Sequence, residues 1–343
     1  MSQKQSSGIL LIDKPQGVTS HDIVAATRSA LHMKKVGHAG TLDPMATGLL
    51  IVAFGNATKL LQYIIAHDKT YEATFRFGAN TTSDDAEGDF LALDKSSVEK
   101  LQYYVQHVEE FERDLKESIS QKFMGDIMQV PNTFSAIKVQ GKRAYDLARE
   151  GKQVDLQARK ITIFEYDLLS VSLVREEQAQ YIDCDVLVHC SSGTYIRALA
   201  RDMGTLLNTG AYVTRLRRVS IGSMNVDDTR CLQAKRVEKE FTNADGSKII
   251  RSKAKLVNAH ATTSQALSMF ECAKNILPVL EVSEHEAADL RMGRFVQADV
   301  HEPTIAVITG TQEVVAIVNH YKPIARMRES MPGSWIKPEV VFN

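Results

Sequence analysis

Asp43 lies within the stretch from Gly37 to Val52, GHAGTLDPMATGLLIV, and has no second carboxylate within ten residues on either side. The residue before a proline is driven out of the α region, so Pro44 holds Asp43 extended. Gly37, Gly40 and Gly48 permit tight turns around it, and Leu42 and Met45 can anchor the loop in a core. Such a loop would present one acid with little freedom. From these residues alone, two readings stand: an aspartate serving the geometry of its own turn, or a lone carboxylate doing chemistry as a nucleophile or base.

Two remote residues bear on that choice. In CSSGTYIRALARDMG, a helix capped by Thr194 would put Arg197 in its first turn, where a cation opposes the helix dipole. A carboxylate partner would offset that cost, and Asp43 is a candidate; a reach to solvent or phosphate is the alternative. Tyr71 belongs to a stretch in which Tyr71, Ala73, Phe75 and Phe77 alternate with Glu72, Thr74 and Arg76, the period of a half-buried strand. The alternation puts Tyr71 on the apolar face, where most tyrosines serve the core.

The elements that must position these residues are short and mixed. Gly8–Ile12 and Leu49–Phe54 read as buried strands, Ser20–His32 and Asn56–Ile65 as helices. Apolar residues recur at threes and fours from Ser96 to Phe123, and Ser96 with Glu99 offers a capping box, so one long acidic amphipathic helix is expected. Beyond it come a strand at Ser135–Val139, a helix closed by Gly151, and strands near Ile161–Leu173, Tyr181–His189 and Ala211–Ile221. Residues 225–265 lose periodicity and read as a loop or linker. Short strands return at Val279–Val282, Thr304–Ile308 and Val314–Val318. The elements read as mixed α and β, interspersed rather than strictly alternating, followed by a small, mostly β C-terminal unit. The expected division is 1–235 with an acidic insert at about 91–125, a linker at 236–272, and 273–343.

With 343 residues, 44% hydrophobic and 24% charged, the composition is that of a soluble globular protein. No apolar run is long enough to span a bilayer, and MSQKQSSG lacks the pattern of a signal peptide, so a cytoplasmic protein is expected. The four cysteines show no CxxC spacing, and no metal site is expected. A formal charge of −1 conceals an uneven spread. Thr81–Val130 holds 12 acidic and 5 basic residues, leaving the rest of the chain at +6. Nucleic acid is therefore not excluded as a partner.

GHAGTLDPMATGLLIVAFGNATK resembles the catalytic motif of the TruB family of tRNA pseudouridine synthases. GILLIDKPQGVTSHD, QVPNTFSAIKVQGKRAYDLAREG, and CSSGTYIRALARDMG with VTRLRRVSIG follow the family's order, covering most of residues 8–225. The stretch ILPVLEVSEHEAADLRMGRFV is similar to the small PUA-like RNA-binding domain of bacterial members. The resemblance implies the pseudouridine-synthase fold, an α+β fold with a mixed, mainly antiparallel central sheet flanked by helices and loops and a small, mostly β PUA-like C-terminal domain. It also implies tRNA as partner through its T stem-loop, isomerisation of uridine 55, no cofactor, no membrane and a monomer.

The uracil must leave at N1, rotate and rejoin the ribose through C5, which requires the nucleotide to be flipped out. That chemistry fits a single acid. Glycoside hydrolases need a second carboxyl to protonate a leaving oxygen or assist attack, whereas uracil leaves as a delocalised anion and is recaptured. By resemblance, Asp43 is catalytic and Arg197 pairs with it. Tyr71, 28 positions after Asp43, stacks on the flipped base, and His38 braces the gap that base leaves. Lys14 and Pro15 support the cleft, Tyr195 lies beside Arg197 in the active-site motif, and Leu216 packs against the ring. Lys138, Lys142, Arg143, Arg217 and Arg218 are candidates for phosphate contacts. The segment GANTTSDDAEGD looks like the stand-alone bacterial form. A guide-RNA-dependent relative and a non-catalytic tRNA-binding or tRNA-folding protein are the alternatives.

Overall fold

The computed structural model describes residues 7–134, 138–139, 142–143, 156–176, 179–243, 246–322 and 333–342. The helix expected to close at Gly151, and residues 135–137 of the strand expected before it, lie outside these.

β1 (Gly8–Lys14) is the apolar run GILLIDK, buried along nearly its whole length. α1 (Ser20–Leu31) begins at Thr19 with a capping box in which Thr19 and Asp22 bond each other's backbone, and ends at His32 in the left-handed region. β2 (Val36–Ala39) pairs antiparallel with β3 (Thr47–Phe54), the strand after the aspartate loop, apolar and buried from Leu49 to Phe54. The expected helix at Asn56–Ile65 is a 3₁₀ turn, Gly55–Leu60, running into a short α2 (Leu61–Ala66). Leu60 and Ile64 are buried, but Ile65 faces out.

β4 (Lys69–Phe77) shows the alternation read from its sequence, with Tyr71, Ala73, Phe75 and Phe77 buried. The acidic insert is two helices rather than one: α3 (Lys95–Gln106) and α4 (Val108–Lys122). No proline or glycine marks the break. His107 leaves helical geometry: its N–H donates to Tyr104 O at the end of α3, and its carbonyl accepts from Glu110 N and Phe111 N to open α4. The bend lets Tyr104 of α3 pack edge-on against Phe111 of α4, which also meets Phe77 of β4. The cap of α3 is Asp94, which accepts from Ser97 N, so the Ser96–Glu99 box is not used.

β5 (Gly125–Gln129), β6 (Arg159–Glu176) and β7 (Ala179–Cys190) follow, then α5 (Ile196–Leu206) and β8 (Ala211–Ile221). Tyr195, not Thr194, occupies the cap of α5; the Thr194 hydroxyl turns back to donate to Ser191 O. Residues 225–265 are not a loop. β9 (Leu232–Thr242) and β10 (Lys248–Leu256) form a long antiparallel hairpin, hidden from pattern reading because most of its side chains are exposed. The C-terminal strands β11 (Val279–Val282), β12 (Thr304–Ile308), β13 (Val314–Tyr321) and β14 (Trp335–Val341) make a five-stranded sheet with Val296–Gln297. α6 (Glu284–Arg291) buries Ala287 and Leu290 in that sheet's core.

The chain divides into two compact units. Met1–Asp43, Leu49–His67 and Gly222–Asn343 form the first; Pro44–Gly48 and Asp68–Ile221 form the second. In the first unit the strands run in the order β10, β9, β1, β3. There β1 lies parallel to β9, with Ile12 beside Leu232. In the second unit β8, β4, β7, β6 and β5 are successive antiparallel neighbours. Arg217 and Arg218 of β8 also run parallel to Thr47 and Gly48. Parallel and antiparallel pairings therefore coexist, as the family resemblance implies.

Candidate active site

The aspartate loop is held in the first unit from its N-terminal side. The Ser20 hydroxyl donates to Leu42 O at 3.0 Å, and Leu42 N donates back to Ser20 Oγ at 2.8 Å. Leu42 is buried, and Asp43, the next residue, is half-exposed. A backbone clamp on one residue thus fixes the root of a carboxylate that still reaches outward. Ser20 opens α1, so the clamp transfers that helix's position to Asp43.

His38 sits on β2 opposite Val52 and is half-exposed. Lys14 is fully buried at the end of β1, and its ammonium donates to Pro15 O at 3.0 Å and Val18 O at 2.8 Å. It thereby closes the KPQGV turn on itself, with Gly17 at φ +79°. A buried ammonium needs such acceptors, because an unpartnered charge in the interior is strongly unfavourable.

In the second unit Arg197 lies in the first turn of α5, as expected, and is 4% exposed. Its guanidinium donates to Ser83 O at 2.7 Å and Phe134 O at 2.9 Å, and approaches Asp85 Oδ2 at 3.1 Å. Asp85 in turn accepts from Ser83 Oγ at 2.6 Å and Glu87 N at 3.0 Å. A buried ion pair is tolerable only when such extra bonds satisfy both partners. Asp85 is not distinctive in the sequence, although the acidic doublet in GANTTSDDAEGD holds it; a buried arginine demands a carboxylate, and this segment supplies one. Its neighbour Asp84 adopts a left-handed backbone (φ 59°), accepts from Asn132 and lies 3.5 Å from Arg201. Burial raises the Asp84 carboxyl above its ordinary range, against the opposing pull of Asn132 and the two arginines.

Tyr71 lies nearly buried on β4, between Val188 of β7 and Arg218 of β8. Tyr195 is fixed by Gln129, whose amide donates to Tyr195 O at 3.1 Å and accepts from Tyr195 N at 2.9 Å. Leu216 is buried, and its carbonyl accepts from Thr47 Oγ1 at 3.4 Å. Arg217 is half-exposed. Arg218 is only 1% exposed, and a side chain so buried presents no cation to RNA, so the phosphate contact expected of it is withdrawn. Beside it Lys69 is also buried; burial first, then the Arg218 charge, press its amine down to about 8. Lys138 and Arg143 are opposite each other on a two-stranded antiparallel pair that includes Lys142; their side chains lie outside the described residues. Among the described residues no three His, Cys, Asp or Glu side chains group as a metal set.

The architecture is that of the pseudouridine synthases. The chain superposes with a TM-score of 0.61 on a solved Cbf5–Nop10–Gar1 complex, at 22% identity, covering 98% of this chain and 85% of that one. A solved H/ACA RNP bound to a substrate RNA containing 2'-deoxyuridine gives 0.60 at 20% identity, with the same coverage. At these identities the likeness speaks for the fold. Residues 28–196 match the TruB family pseudouridylate synthase N-terminal domain, and 197–256 the tRNA pseudouridylate synthase B C-terminal domain. A tRNA pseudouridine synthase B of Bifidobacterium longum subsp. infantis is 44% identical over 91% of this chain and 94% of its own. One of Arthrobacter sp. is 38% identical over 98% and 96%. One of Corynebacterium jeikeium is 38% identical over 91% and 90%. The chain belongs to the TruB family and is a pseudouridine synthase, an isomerase.

Proposed function

We propose that the protein converts uridine 55 in the T arm of tRNA to pseudouridine, acting in the cytoplasm as a stand-alone monomer, with Asp43 as its catalytic carboxylate. The observation that carries this reading is the Ser20 clamp on Leu42: it fixes the backbone just before a half-exposed acid in the family's own motif. The names of the relatives support tRNA as the substrate.

In the reaction the N1–C1′ bond of the flipped nucleotide breaks and the uracil turns. A C5–C1′ bond forms, C5 loses its proton, and N1 is left protonated. Atoms balance within the nucleotide, with no net redox change. Asp43 acts on the ribose or the uracil as nucleophile or base. Arg197 is the cation proposed to act with it. Tyr71 stacks on the base, His38 braces the gap, and Lys14, Tyr195 and Leu216 shape the pocket. Arg217, Lys138, Lys142 and Arg143 contact phosphate. The C-terminal sheet is proposed as a PUA-like RNA-binding domain following a catalytic region that ends near residue 235.

The test is conversion of an unmodified tRNA transcript by the purified chain, read by mass spectrometry at uridine 55. Conversion should need no guide RNA or added protein. Asp43→Asn should bind the transcript within about tenfold of wild type and convert none. Modification that requires a guide RNA, or turnover surviving in Asp43→Asn, would overturn the proposal.

A further inference from the structure

In the hairpin β9–β10 the two-residue period sorts charge by face. Glu238 and Glu240 fall on one face, where Arg236 lies 3.4 Å from Glu238 and Lys248 2.8 Å from Glu240. The other face carries Lys235, Val237, Lys239 and Phe241 opposite Lys255, Lys253, Arg251 and Ile249. It holds five cations and no hairpin carboxylate. Asp22 of α1, 2.9 Å away, neutralises Lys253. Lys235, Lys239, Arg251 and Lys255 are exposed, and for them no carboxylate partner is found among the described residues.

Moreover, Lys235 lies directly across from Lys255, and Lys239 across from Arg251. Like charges in direct cross-strand register destabilise a sheet. Two such pairs stacked along one ribbon are a cost that the fold itself does not explain. Phe241 lies exposed on the same face, with the Arg251 guanidinium 5.7 Å and the Lys253 ammonium 5.8 Å from its ring centroid. Cations in a row beside an exposed ring are the chemistry that holds a polynucleotide strand, phosphates on the cations and a base against the ring.

We propose that this face of the β9–β10 hairpin is an RNA phosphate-binding surface. Its ligand is the sugar–phosphate backbone of the enzyme's own RNA substrate, and in that respect it rests on the function proposed above. Side chains on one face recur about every 6.8 Å along a strand, so Lys235 and Lys239, two repeats apart with Val237 between them, stand about 14 Å from each other and can hold two separated phosphates of one strand. Bound phosphate would relieve the cross-strand repulsion that the free protein carries.

The experiment compares wild type with the variant Lys235→Gln, Lys239→Gln, Arg251→Gln, Lys255→Gln, measuring tRNA affinity from low to moderate salt. Affinity should fall at least tenfold at about 0.1 M salt. The slope of log affinity against log salt should flatten by about 3, at roughly 0.7–0.9 for each phosphate the variant no longer neutralises. Without RNA the variant should melt no lower than wild type, because repulsion has been removed. The pair Arg236→Gln, Lys248→Gln, on the opposite face, should leave affinity within twofold. Unchanged affinity and slope in the quadruple variant would overturn the proposal, as would equal losses from the opposite-face pair. A wild-type chain that binds tRNA through this face yet converts none would sink the functional reading and leave this one standing.

Discussion

At the scale of single residues, the buried pair Arg197–Asp85 makes the sharpest demands. Removing one partner of a buried ion pair strands the other, at about 3–5 kcal/mol. Asp85→Asn should therefore lower the denaturation midpoint and slow turnover together. Arg197→Lys keeps the charge but cannot reproduce the fork that reaches Ser83, Phe134 and Asp85 at once. Its activity should drop by well over tenfold in steady-state assays, and wild-type kinetics would show that the planar geometry does not matter. Lys69 gives a pH signature. Its amine sits at about 8 when folded and at 10.5 when free. Between these values the unfolded chain holds a proton that the folded one has shed, so this group makes stability rise with pH, by at most about 1.4 kcal/mol per unit. Denaturant titrations at about pH 8 and pH 10 should show the rise, and Lys69→Met should flatten it. Asp43, Tyr71 and Arg197 stand out in the sequence as candidates because their motifs and spacing are distinctive. Asp85, Ser20 and Gln129 do not, since each matters through a partner 22 to 112 positions away.

At the scale of elements, close approach explains one glycine. A Cβ on Gly48 would lie 2.2 Å from Arg218 O, and its φ is +100°. The neighbouring atom is backbone and cannot step aside, so Gly48→Ala should reduce the melting temperature by several degrees and disturb the loop that carries Asp43. Asp22 ties α1 to β10 as well as capping its own helix. Burial acts to raise its carboxyl, but bonds from Lys253 and Thr19 outweigh burial and hold it below 3.8. The stability it adds is present above that value and fades as pH falls through the lowered one. Asp22→Asn should cost about 1 kcal/mol near neutral pH. β4 was legible because its apolar face alternates strictly, and α1 because its periodicity and boundaries are clear. The break at His107 was not, since aromatic packing between Tyr104 and Phe111 makes it rather than a helix-breaking residue. The hairpin escaped because strands exposed on both faces carry no burial signal in their sequence.

At the scale of the whole molecule, the motif order announced the pseudouridine-synthase fold, but the division into units could not be read along the chain. The second unit is one long segment plus Pro44–Gly48, while the first is assembled from three separated pieces. A chain ending at Ile221 should thus retain hydrogen-exchange protection in β4, β7 and β8 and lose it in β1. Equal protection of β1 would show that its neighbour β3 is sufficient support.

The parallel pairing of Ile12 with Leu232 has a consequence for how the chain is born. One of the first strands to leave the ribosome has a flanking partner 220 residues behind it. At about 5–20 residues per second, GILLI waits roughly 10–40 s before that edge is covered. Until then an almost wholly apolar strand lies uncovered on one side, within reach of other nascent chains. The long hairpin that closes it is also a seal, made some 220 residues after the strand it protects.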